Sequence, residues 1–348
     1  MEDLVTAYRG KRVLLTGHTG FKGGWLALWL RELGANVTGF ALPPDTSPSL
    51  FEAAHVGDAV QHVEGDLREL EAVRRALRAC EPDYVFHLAA QPLVRRSYQE
   101  PLLTIETNVL GTAHVLEALR LEKRPCSAVI VTSDKCYENR ETEHAYREED
   151  PLGGHDVYSM SKGCAELVTA SYRRSFLDDL GIAVASARAG NVIGGGDWCA
   201  DRLVPDAVKA LADRRPIPVR NPKSVRPWQH VLEPLSGYLA LGARIGNEPP
   251  LRTAFNFGPD SADSVQSVIE LLIDRWGEGM WENRHDPRAP HEAALLMLST
   301  GRAHARLGWR PRWSLQEAVR RTADWYKGYY RDRRTTCLEQ IRDYAAVA

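Results

Sequence analysis

The stretch VTSDKCY places a hydroxyl, an acid and a base side by side, at Ser133, Asp134 and Lys135, directly after an apolar segment. A second motif, YSMSK, places Tyr158 and Lys162 four residues apart, which brings both side chains to one face of a helix. A lysine ammonium beside a phenol favours the phenolate. We therefore expect Lys162 to lower the pKa of Tyr158 toward neutrality, so that Tyr158 can take a proton from a hydroxyl.

Oxidation of an alcohol needs only part of this set. Ser133 can hydrogen-bond the hydroxyl that becomes a ketone, while Tyr158 removes its proton and a nicotinamide accepts the hydride. Asp134 and Lys135 are surplus to that step. Because a ketone acidifies the neighbouring C–H, a neutral lysine and an acid on the two sides of one C–C bond can then eliminate water. The alternatives are an ordinary helix surface for YSMSK and a solvated turn for Asp134 and Lys135.

A glycine-rich segment, TGHTGFKG, follows the first apolar run and precedes a helix-like segment. Gly17, Gly20 and Gly23 allow a tight turn there, so that backbone N–H groups at the positive end of the helix can approach a pyrophosphate. A glycine turn without a ligand is the alternative. The G-x-x-G-x-x-G spacing resembles that of the extended short-chain dehydrogenase/reductase superfamily.

The second strand ends in GFALPPD, with neither an acid nor a base at the strand end. Since a base there would hold the phosphate of NADP, its absence favours NAD. Asp66, in GDLRE after the third strand, suits a hydrogen bond to the adenine amine, although a plain strand-end turn explains it equally well. The expected cofactor contacts are Gly17, Gly20, Phe21, Lys22, Gly23, Asp66, Leu67, Leu88, Ala89, Ala90, Tyr158 and Lys162.

Short apolar runs alternate with amphipathic segments through the first half of the chain. Strands that are apolar on both sides and separated by helices predict an α/β fold, a Rossmann-type doubly wound parallel sheet. The alternation breaks down after Ala189 into a Gly-, Pro- and Trp-rich region. We expect a dinucleotide-binding domain at 1–189 with a return segment near 230–257, and a smaller mixed C-terminal substrate-binding lobe at 190–229 and 258–348. The strand signals lie at 12–16, 36–41, 84–89, 127–132, 183–188 and 252–259, and the helix signals at 24–33, 69–80, 263–275 and 316–330.

The balance of 44 basic and 46 acidic residues over 348 positions provides no global field for nucleic acid or an anionic membrane. No stretch reaches the roughly 18 apolar residues that a membrane span requires. The six cysteines are scattered without a C-x-x-C pair, which predicts reduced thiols, no metal site and a cytoplasmic protein.

Seven segments in order resemble those of the CDP-glucose 4,6-dehydratases, and the resemblance runs from about residue 8 to beyond 330. They are TGHTGFKGGWL, FHLAAQPLVRRSY, VTSDKCYENR, YSMSKGCAELV, RAGNVIGGGDW, DRLVPD and RPWQHVLEPLSGY. Dehydratases for dTDP-glucose and GDP-mannose usually carry Asp-Glu or a related acid where this chain has Asp134-Lys135. The Asp-Lys pair is similar to the CDP-glucose enzymes in particular.

The resemblance implies a role for each candidate. Tyr158 would be the base of the oxidation, Ser133 would polarise the O4 atom of the sugar, and Lys162 would hold Tyr158 and the nicotinamide ribose. Asp134 would protonate the leaving C6 hydroxyl, and Lys135 would remove the C5 proton. The net reaction would convert CDP-glucose to CDP-4-dehydro-6-deoxyglucose and water, with NAD regenerated in each turnover.

The substrate side is expected in the loops of the second lobe. Arg202 and Arg226 can bind phosphate oxygens bidentately, and Asn191 resembles a substrate-side asparagine of the family. For Arg202 an interlobe structural contact is an equal alternative. The chain departs from the family at LSTGRAHARLGW, where Ser299 replaces an acid and Arg302 a lysine, so we expect altered packing or nucleotide-side contacts.

The apolar stripes of 101–122 and 156–176 correspond to helices that pair between subunits in this superfamily, so a homodimer or higher homo-oligomer is expected. Core-facing stripes are the alternative. Three functions remain open at this stage. They are the CDP-glucose dehydratase, a dehydratase or C4-epimerase for another nucleotide sugar, and a dinucleotide-sensing protein without turnover. An epimerase has no need of Lys135, and sensing proteins often lose Tyr158 or Lys162.

Overall fold

The computed structural model describes residues 2–286 and 293–347, and its centre is a seven-stranded sheet in which every neighbouring pair of strands is parallel. The strand order is β7-β6-β5-β4-β1-β2-β3. The strands are β1 Arg12–Thr16, β2 Asn36–Ala41, β3 Gln61–Glu64, β4 Tyr84–His87, β5 Ser127–Val131, β6 Ala183–Ala189 and β7 Ala254–Phe257. The predicted Rossmann-type doubly wound sheet is confirmed.

Helices cover both faces of the sheet because its central strands are apolar on both sides. Every residue of β5 and β6 is buried. Alternate residues of the strands enter two separate cores, one against α4, α7 and α8 and the other against α1, α2 and α10. The helices are α1 Glu2–Tyr8, α2 Phe21–Glu32, α3 Leu50–Ala53, α4 Leu70–Cys80, α5 Val94–Gln99, α6 Pro101–Ile105, α7 Gly111–Glu122, α8 Val157–Tyr172, α9 Leu203–Ala212, α10 Leu232–Ile245, α11 Val265–Trp276, α12 Leu315–Asp332 and α13 Cys337–Ala346.

Single turns of other helix types interrupt or join these elements. The segment predicted as one helix at 101–122 is α6 and α7 joined by a π-helical turn, and α8 also runs into such a turn. The π turns are Glu106–Leu110, Arg173–Leu177 and Ala303–Leu307, and the 3₁₀ turns are Val56–Ala59, Asp134–Cys136 and Pro249–Leu251.

Short strand pairs of mixed direction lie outside the central sheet, mostly in the region after β6. Three pairs are parallel and one is antiparallel. The parallel pairs are Val192–Ile193 with Gln229–His230, Ile217–Val219 with Trp281–Asn283, and Ala145–Tyr146 with Met297–Leu298. Val225–Arg226 pairs with Asp263–Ser264 in the antiparallel direction. Within 190–286, α10 packs on β5 and β6, and β7 joins the edge of the central sheet beside β6. The exact division into two lobes stays a prediction.

One large cavity of about 950 Å³ opens at the carboxyl ends of the central strands. Its walls come from the turns after β1, β4, β5 and β6, from the start of α8, and from the loops around α9. Ligands of doubly wound sheets bind at this edge, so the cavity is the candidate active site. No helix in residues 2–286 and 293–347 is long and apolar enough to cross a bilayer.

Candidate active site

The glycine turn between β1 and α2 depends on glycine at two positions. Gly17 has a φ of +79°, and a Cβ on it would lie 2.7 Å from the backbone nitrogen of Ala89. A Cβ on Gly23 would lie 2.0 Å from the backbone oxygen of Gly17. Gly20 precedes α2 and lines the cavity. Because no side chain caps α2, the first N–H groups of this helix stay available to a ligand in the cavity. The turn fits the pyrophosphate of a dinucleotide.

Phe21 and Lys22 follow this turn and also line the cavity. Burial lowers the pKa of Lys22 to about 7, and the cation of Arg202 acts in the same direction while Asp134 opposes it. The Lys22 side chain therefore lies within electrostatic reach of Arg202 and Asp134. An anion bound in the cavity would restore the positive charge of Lys22, because a nearby opposite charge favours the ammonium form.

Asp66 lies in the cavity wall, but its carboxylate already has partners. Its Oδ1 accepts a hydrogen bond from the backbone N–H of Arg68 at 2.9 Å, and its Oδ2 accepts from Arg68 Nε at 2.9 Å and Nη2 at 2.5 Å. The Arg68 side chain holds the pKa of Asp66 below its usual value. An adenine amine would have to share this carboxylate. The adjacent Leu67 lines the cavity as well, as do Leu88, Ala89 and Ala90 on the strand end beyond Gly17.

The SDK segment, Ser133 to Lys135, follows β5. Ser133 has an extended backbone, and the 3₁₀ turn begins at Asp134. Ser133 Oγ accepts a hydrogen bond from the backbone N–H of Lys135 at 3.3 Å and donates one to Asp134 Oδ1 at 2.9 Å. Asp134 is 2% exposed, and its Oδ2 has no hydrogen-bond partner among residues 2–286 and 293–347. A Cβ at Gly190 would lie 3.2 Å from this oxygen, so glycine leaves room for it. Lys135 is half-buried and lines the cavity.

Tyr158 and Lys162 lie in the first two turns of α8 and face the same cavity as the SDK segment. Asp156 begins this helix by accepting a hydrogen bond from the backbone N–H of Ser159 at 2.9 Å. Lys162 Nζ lies 5.9 Å from the centroid of the Tyr158 ring. The structure thus brings all five predicted catalytic residues to one end of the cavity.

The expected direction of the Tyr158 pKa is wrong. Burial raises the pKa of Tyr158 to about 12, and the hydroxyl of Ser133 offsets this only in part. Burial also lowers the pKa of Lys162 to about 8. Desolvation disfavours the charged form of both groups, and for the phenol it outweighs the hydroxyl of Ser133 and the cation of Arg202.

The three predicted substrate-side residues line the same cavity. Arg202 Nη1 forms an ion pair with Asp197 Oδ2 at 2.9 Å, so Arg202 makes a structural contact, which was the alternative to phosphate binding. Arg226 is buried and donates hydrogen bonds to the backbone oxygens of Val225 and Ala293. Asn191 contributes its backbone oxygen to Gln229 N–H at 3.0 Å, which leaves its side-chain amide out of that strand pair.

The segment that departs from the family pattern packs under the cavity. Arg302 forms ion pairs with Glu148 and Glu149 and donates a hydrogen bond to the backbone oxygen of Ala254 at 2.9 Å. The backbone oxygen of Ser299 accepts a hydrogen bond from Asn256 Nδ2 at 3.1 Å. Both residues therefore join the segment 299–302 to β7. Neither lines the cavity.

Sequence reasoning missed an ion-paired arginine at the mouth of the cavity. Arg220 Nη1 contacts Asp201 Oδ1 at 2.7 Å, and Arg95 Nε lies 3.6 Å from the same oxygen. All three residues line the cavity. The signal was weak because each residue stands in an irregular loop or short helix without periodicity.

Comparison with known proteins places the chain in a family. The model of the family described as GDP-mannose 4,6 dehydratase matches residues 14–322. A CDP-glucose 4,6-dehydratase of Salmonella typhimurium is 46% identical over 98% of this chain and 98% of its own length. The chain belongs to the GDP-mannose 4,6-dehydratase family. This membership confirms the predicted resemblance and the predicted class of enzyme, the 4,6-dehydratases.

Other members of this family and wider fold neighbours agree with that placement. A dTDP-glucose 4,6-dehydratase of Streptomyces antibioticus is 31% identical over 90% of this chain and 92% of its own. Among solved structures, a dTDP-glucose 4,6-dehydratase of Bacillus anthracis in complex with NAD has a TM-score of 0.76 at 19% identity, covering 90% of this chain and 96% of its own. A UDP-glucose 4-epimerase of Thermotoga maritima has a TM-score of 0.80 at 22% identity, covering 90% and 98%. At these identities the two structures support the fold alone.

Proposed function

We propose that this member of the 4,6-dehydratase family converts CDP-glucose to CDP-4-dehydro-6-deoxyglucose and water, using NAD that is restored in each turnover. The observation that carries the proposal is the meeting of the Ser133-Asp134-Lys135 turn with Tyr158 and Lys162 in one cavity. The 46% identity to a CDP-glucose 4,6-dehydratase supports the choice of nucleotide sugar.

The glycine turn and its flanking residues would hold NAD. Gly17, Gly20 and Gly23 keep side chains out of the turn, and Lys22, which also lines the cavity, would offer its ammonium to a phosphate. Lys162 would hold the nicotinamide ribose. NAD bound there would take up a hydride from the sugar and return it later, so no external oxidant is consumed.

Oxidation at C4 would use Tyr158 and Ser133. Ser133 would hydrogen-bond the O4 atom, and Tyr158 would take the O4 proton as the C4–H bond breaks. Because burial raises the pKa of Tyr158 to about 12, the phenol would first have to release its own proton to solvent before it could take the O4 proton. Cationic charge near the phenol is needed in the transition state. Lys162, with a pKa of about 8, is mostly charged at neutral pH and can supply it.

Elimination would use Lys135 and Asp134 on the 4-ketone. Lys135 removes the proton at C5, the electron pair forms the C5–C6 double bond, and the C6–O bond breaks. Asp134 gives its proton to the departing oxygen, which leaves as water. The unpartnered Oδ2 of Asp134 and the glycine at position 190 are consistent with a carboxyl group that is held in reserve for a ligand. The final step adds hydride at C6 and a proton at C5.

The nucleotide diphosphate would be held by cations around α9. Arg202 is the first candidate because one of its nitrogens binds Asp197 while 31% of its side chain stays exposed. Arg226 would contribute from the opposite wall, and Asn191 would offer its amide to the sugar. A guanidinium fork matches the phosphate oxygens geometrically.

We also propose that the chain forms a homodimer in the cytoplasm. Four large apolar side chains are more than two-fifths exposed on the adjoining helices around α6 and α8, namely Leu102, Leu110, Leu167 and Phe176. Covering such a patch is the usual reason for its existence. The six cysteines carry free thiols, which suits a reducing compartment.

The proposed reaction has a direct test. Purified protein is incubated with CDP-glucose, first without added cofactor and then with NAD, and the products are followed by mass spectrometry and by the absorbance of reduced nicotinamide. The expected product has lost the mass of one water, without net reduction of NAD. Conversion of only dTDP-, UDP- or GDP-sugars would reject CDP-glucose as substrate, and no reaction with any of them would reject the dehydratase function.

A further inference from the structure

A buried chain of polar groups runs from α8 to Tyr137, which itself lines the cavity while its hydroxyl is engaged within the chain. Glu166, one helical turn after Lys162 on α8, is 4% exposed. Its carboxylate accepts hydrogen bonds from Thr132 Oγ1 at 2.5 Å and Ser186 Oγ at 2.7 Å, and it forms an ion pair with Arg188 Nη2 at 2.8 Å. A carboxylate with this many partners stays ionised, and the pKa of Glu166 is lowered despite the opposing effect of burial.

The chain continues from Arg188 to the far end of the catalytic segment. Arg188 Nη1 donates a hydrogen bond to the hydroxyl of Tyr137 at 2.8 Å, and that hydroxyl donates to Asn256 Oδ1 at 2.7 Å. Asn256 Nδ2 in turn donates to the backbone oxygens of Tyr146 and Ser299. The chain therefore connects α8, β6 and β7 to the backbone at Tyr146 and Ser299.

Two of these contacts bracket the SDK segment. Thr132 immediately precedes Ser133, and Tyr137 comes two residues after Lys135. One end of the segment is thus tied to Glu166 and the other to Arg188 and Asn256. The segment itself is a single 3₁₀ turn, and short turns of this type have weak internal hydrogen bonds, so its position depends on these ties.

We infer that Tyr137 is a positioning residue, which acts with Arg188 and Glu166 to hold Lys135 and Asp134 in register with Tyr158 and Lys162. This inference rests on the proposed function. Oxidation uses Ser133 and Tyr158, whose positions are set by β5 and α8. Elimination uses Asp134 and Lys135, which lie closer to the Tyr137 end. Disturbing Tyr137 is therefore expected to slow elimination more than oxidation.

Tyr137→Phe is the sharpest variant because it removes one hydroxyl and little else. The aromatic ring keeps its stacking on Tyr146, with centroids 5.1 Å apart, and its contact with the Arg188 guanidinium at 4.9 Å. Changing Glu166 or Arg188 alone would instead leave a buried charge without its partner, and the protein would be expected to unfold.

The experiment compares Tyr137→Phe with Tyr8→Phe and the wild type on CDP-glucose. Tyr8 is the control because it is also fully buried and does not line the cavity. Tyr8→Phe loses one hydrogen bond, to the backbone oxygen of Leu239 at 2.7 Å, whereas Tyr137→Phe loses two, so the variants are compared at their measured thermal stabilities. For Tyr137→Phe we expect kcat to fall about tenfold, since a misplacement of catalytic groups by less than 1 Å costs that much or more. KM should stay within about twofold of the wild-type value.

Two readouts separate positioning from stability. Reduced nicotinamide should accumulate during turnover by Tyr137→Phe, and exchange of the C5 proton with solvent deuterium should slow by a similar factor. Tyr8→Phe should show neither effect at an equal loss of thermal stability. Equal kcat in the two variants, or a raised KM with unchanged kcat, would overturn the inference. A wild type that is inactive on every nucleotide sugar would instead reject the proposed function.

Discussion

Replacement of Gly23 by alanine tests the cofactor turn most directly. A Cβ at this position would lie 2.0 Å from the backbone oxygen of Gly17, whereas real Cβ atoms stay at least 3.0 Å from such atoms. The difference, 3.0 − 2.0 = 1.0 Å, is the smallest shift that the backbone must make. Neither partner is a flexible side chain, so α2 or the turn itself has to move.

The expected cost has two parts. Forcing an extra carbon into a packed site costs about 1–3 kcal/mol of unfolding free energy. A displacement of about 1 Å in a turn that positions a reacting group can reduce activity by about 100-fold. Gly20→Ala is the matched control, because its Cβ would lie 3.4 Å from the same oxygen of Gly17 and its φ of −83° is ordinary for alanine.

Thermal unfolding with and without saturating NAD measures both parts. Gly23→Ala should unfold at a lower temperature than the wild type and should lose most of the stabilisation by NAD. Without NAD, Gly20→Ala should unfold at the same temperature as the wild type. If NAD then raises the unfolding temperature of this variant less than that of the wild type, the added methyl group obstructs the ligand at the turn. Wild-type stability and NAD binding in Gly23→Ala would refute the reasoning.

Three further predictions follow from particular side chains. Lys135→Met should still oxidise CDP-glucose, so that reduced nicotinamide appears but the dehydrated product falls by at least about 100-fold, as measured by mass spectrometry; an undiminished yield would contradict its role. Leu167→Glu should shift the proposed dimer to monomer in light scattering, because a charge would enter the apolar patch; an unchanged mass would place the subunit contact elsewhere. His230→Phe should make acid unfolding shallower. Burial lowers the pKa of His230 to about 3 from 6.5, so stability is lost as pH falls through this window, at up to about 1.4 kcal/mol per pH unit; an equal slope in urea titrations of wild type and variant would exclude His230.

Six of the seven strands of the central sheet could be predicted from the sequence because each is a continuous apolar run between polar segments, whereas β3, with the sequence QHVE, has no such run. The runs at 12–16 and 36–41 coincide with β1 and β2, the run at 252–259 extends two residues beyond β7 at each end, and the others differ from their strands by one or two residues at one end. Burial on both faces produces this pattern, and it depends on local composition alone. The prediction of one helix at 101–122 was less accurate, because a π-helical turn keeps the same apolar stripe as an uninterrupted helix.

The meeting of the five candidate catalytic residues in one cavity was also predictable, because they follow a strand end or share one helix face. The buried chain through Glu166, Arg188 and Tyr137 was not. Arg188 stands in the apolar run AVASARA, and Tyr137 and Asn256 are 119 positions apart. Glu166 lies four residues after Lys162, which is the one local signal that was available. Contacts between distant segments depend on the three-dimensional arrangement, which spacing does not encode.

The opposite pKa shifts of Tyr158 and Lys162 have a single cause and a functional consequence. Burial disfavours any charge at this end of the cavity, so it raises the pKa of the phenol and lowers that of the ammonium. At neutral pH the proton therefore stays on Tyr158, and a substrate hydroxyl entering alone meets a weak base. The cations near the phenol are Arg202, which favours the phenolate, and Lys162, so Tyr158 can accept a proton only where their charge outweighs the effect of burial.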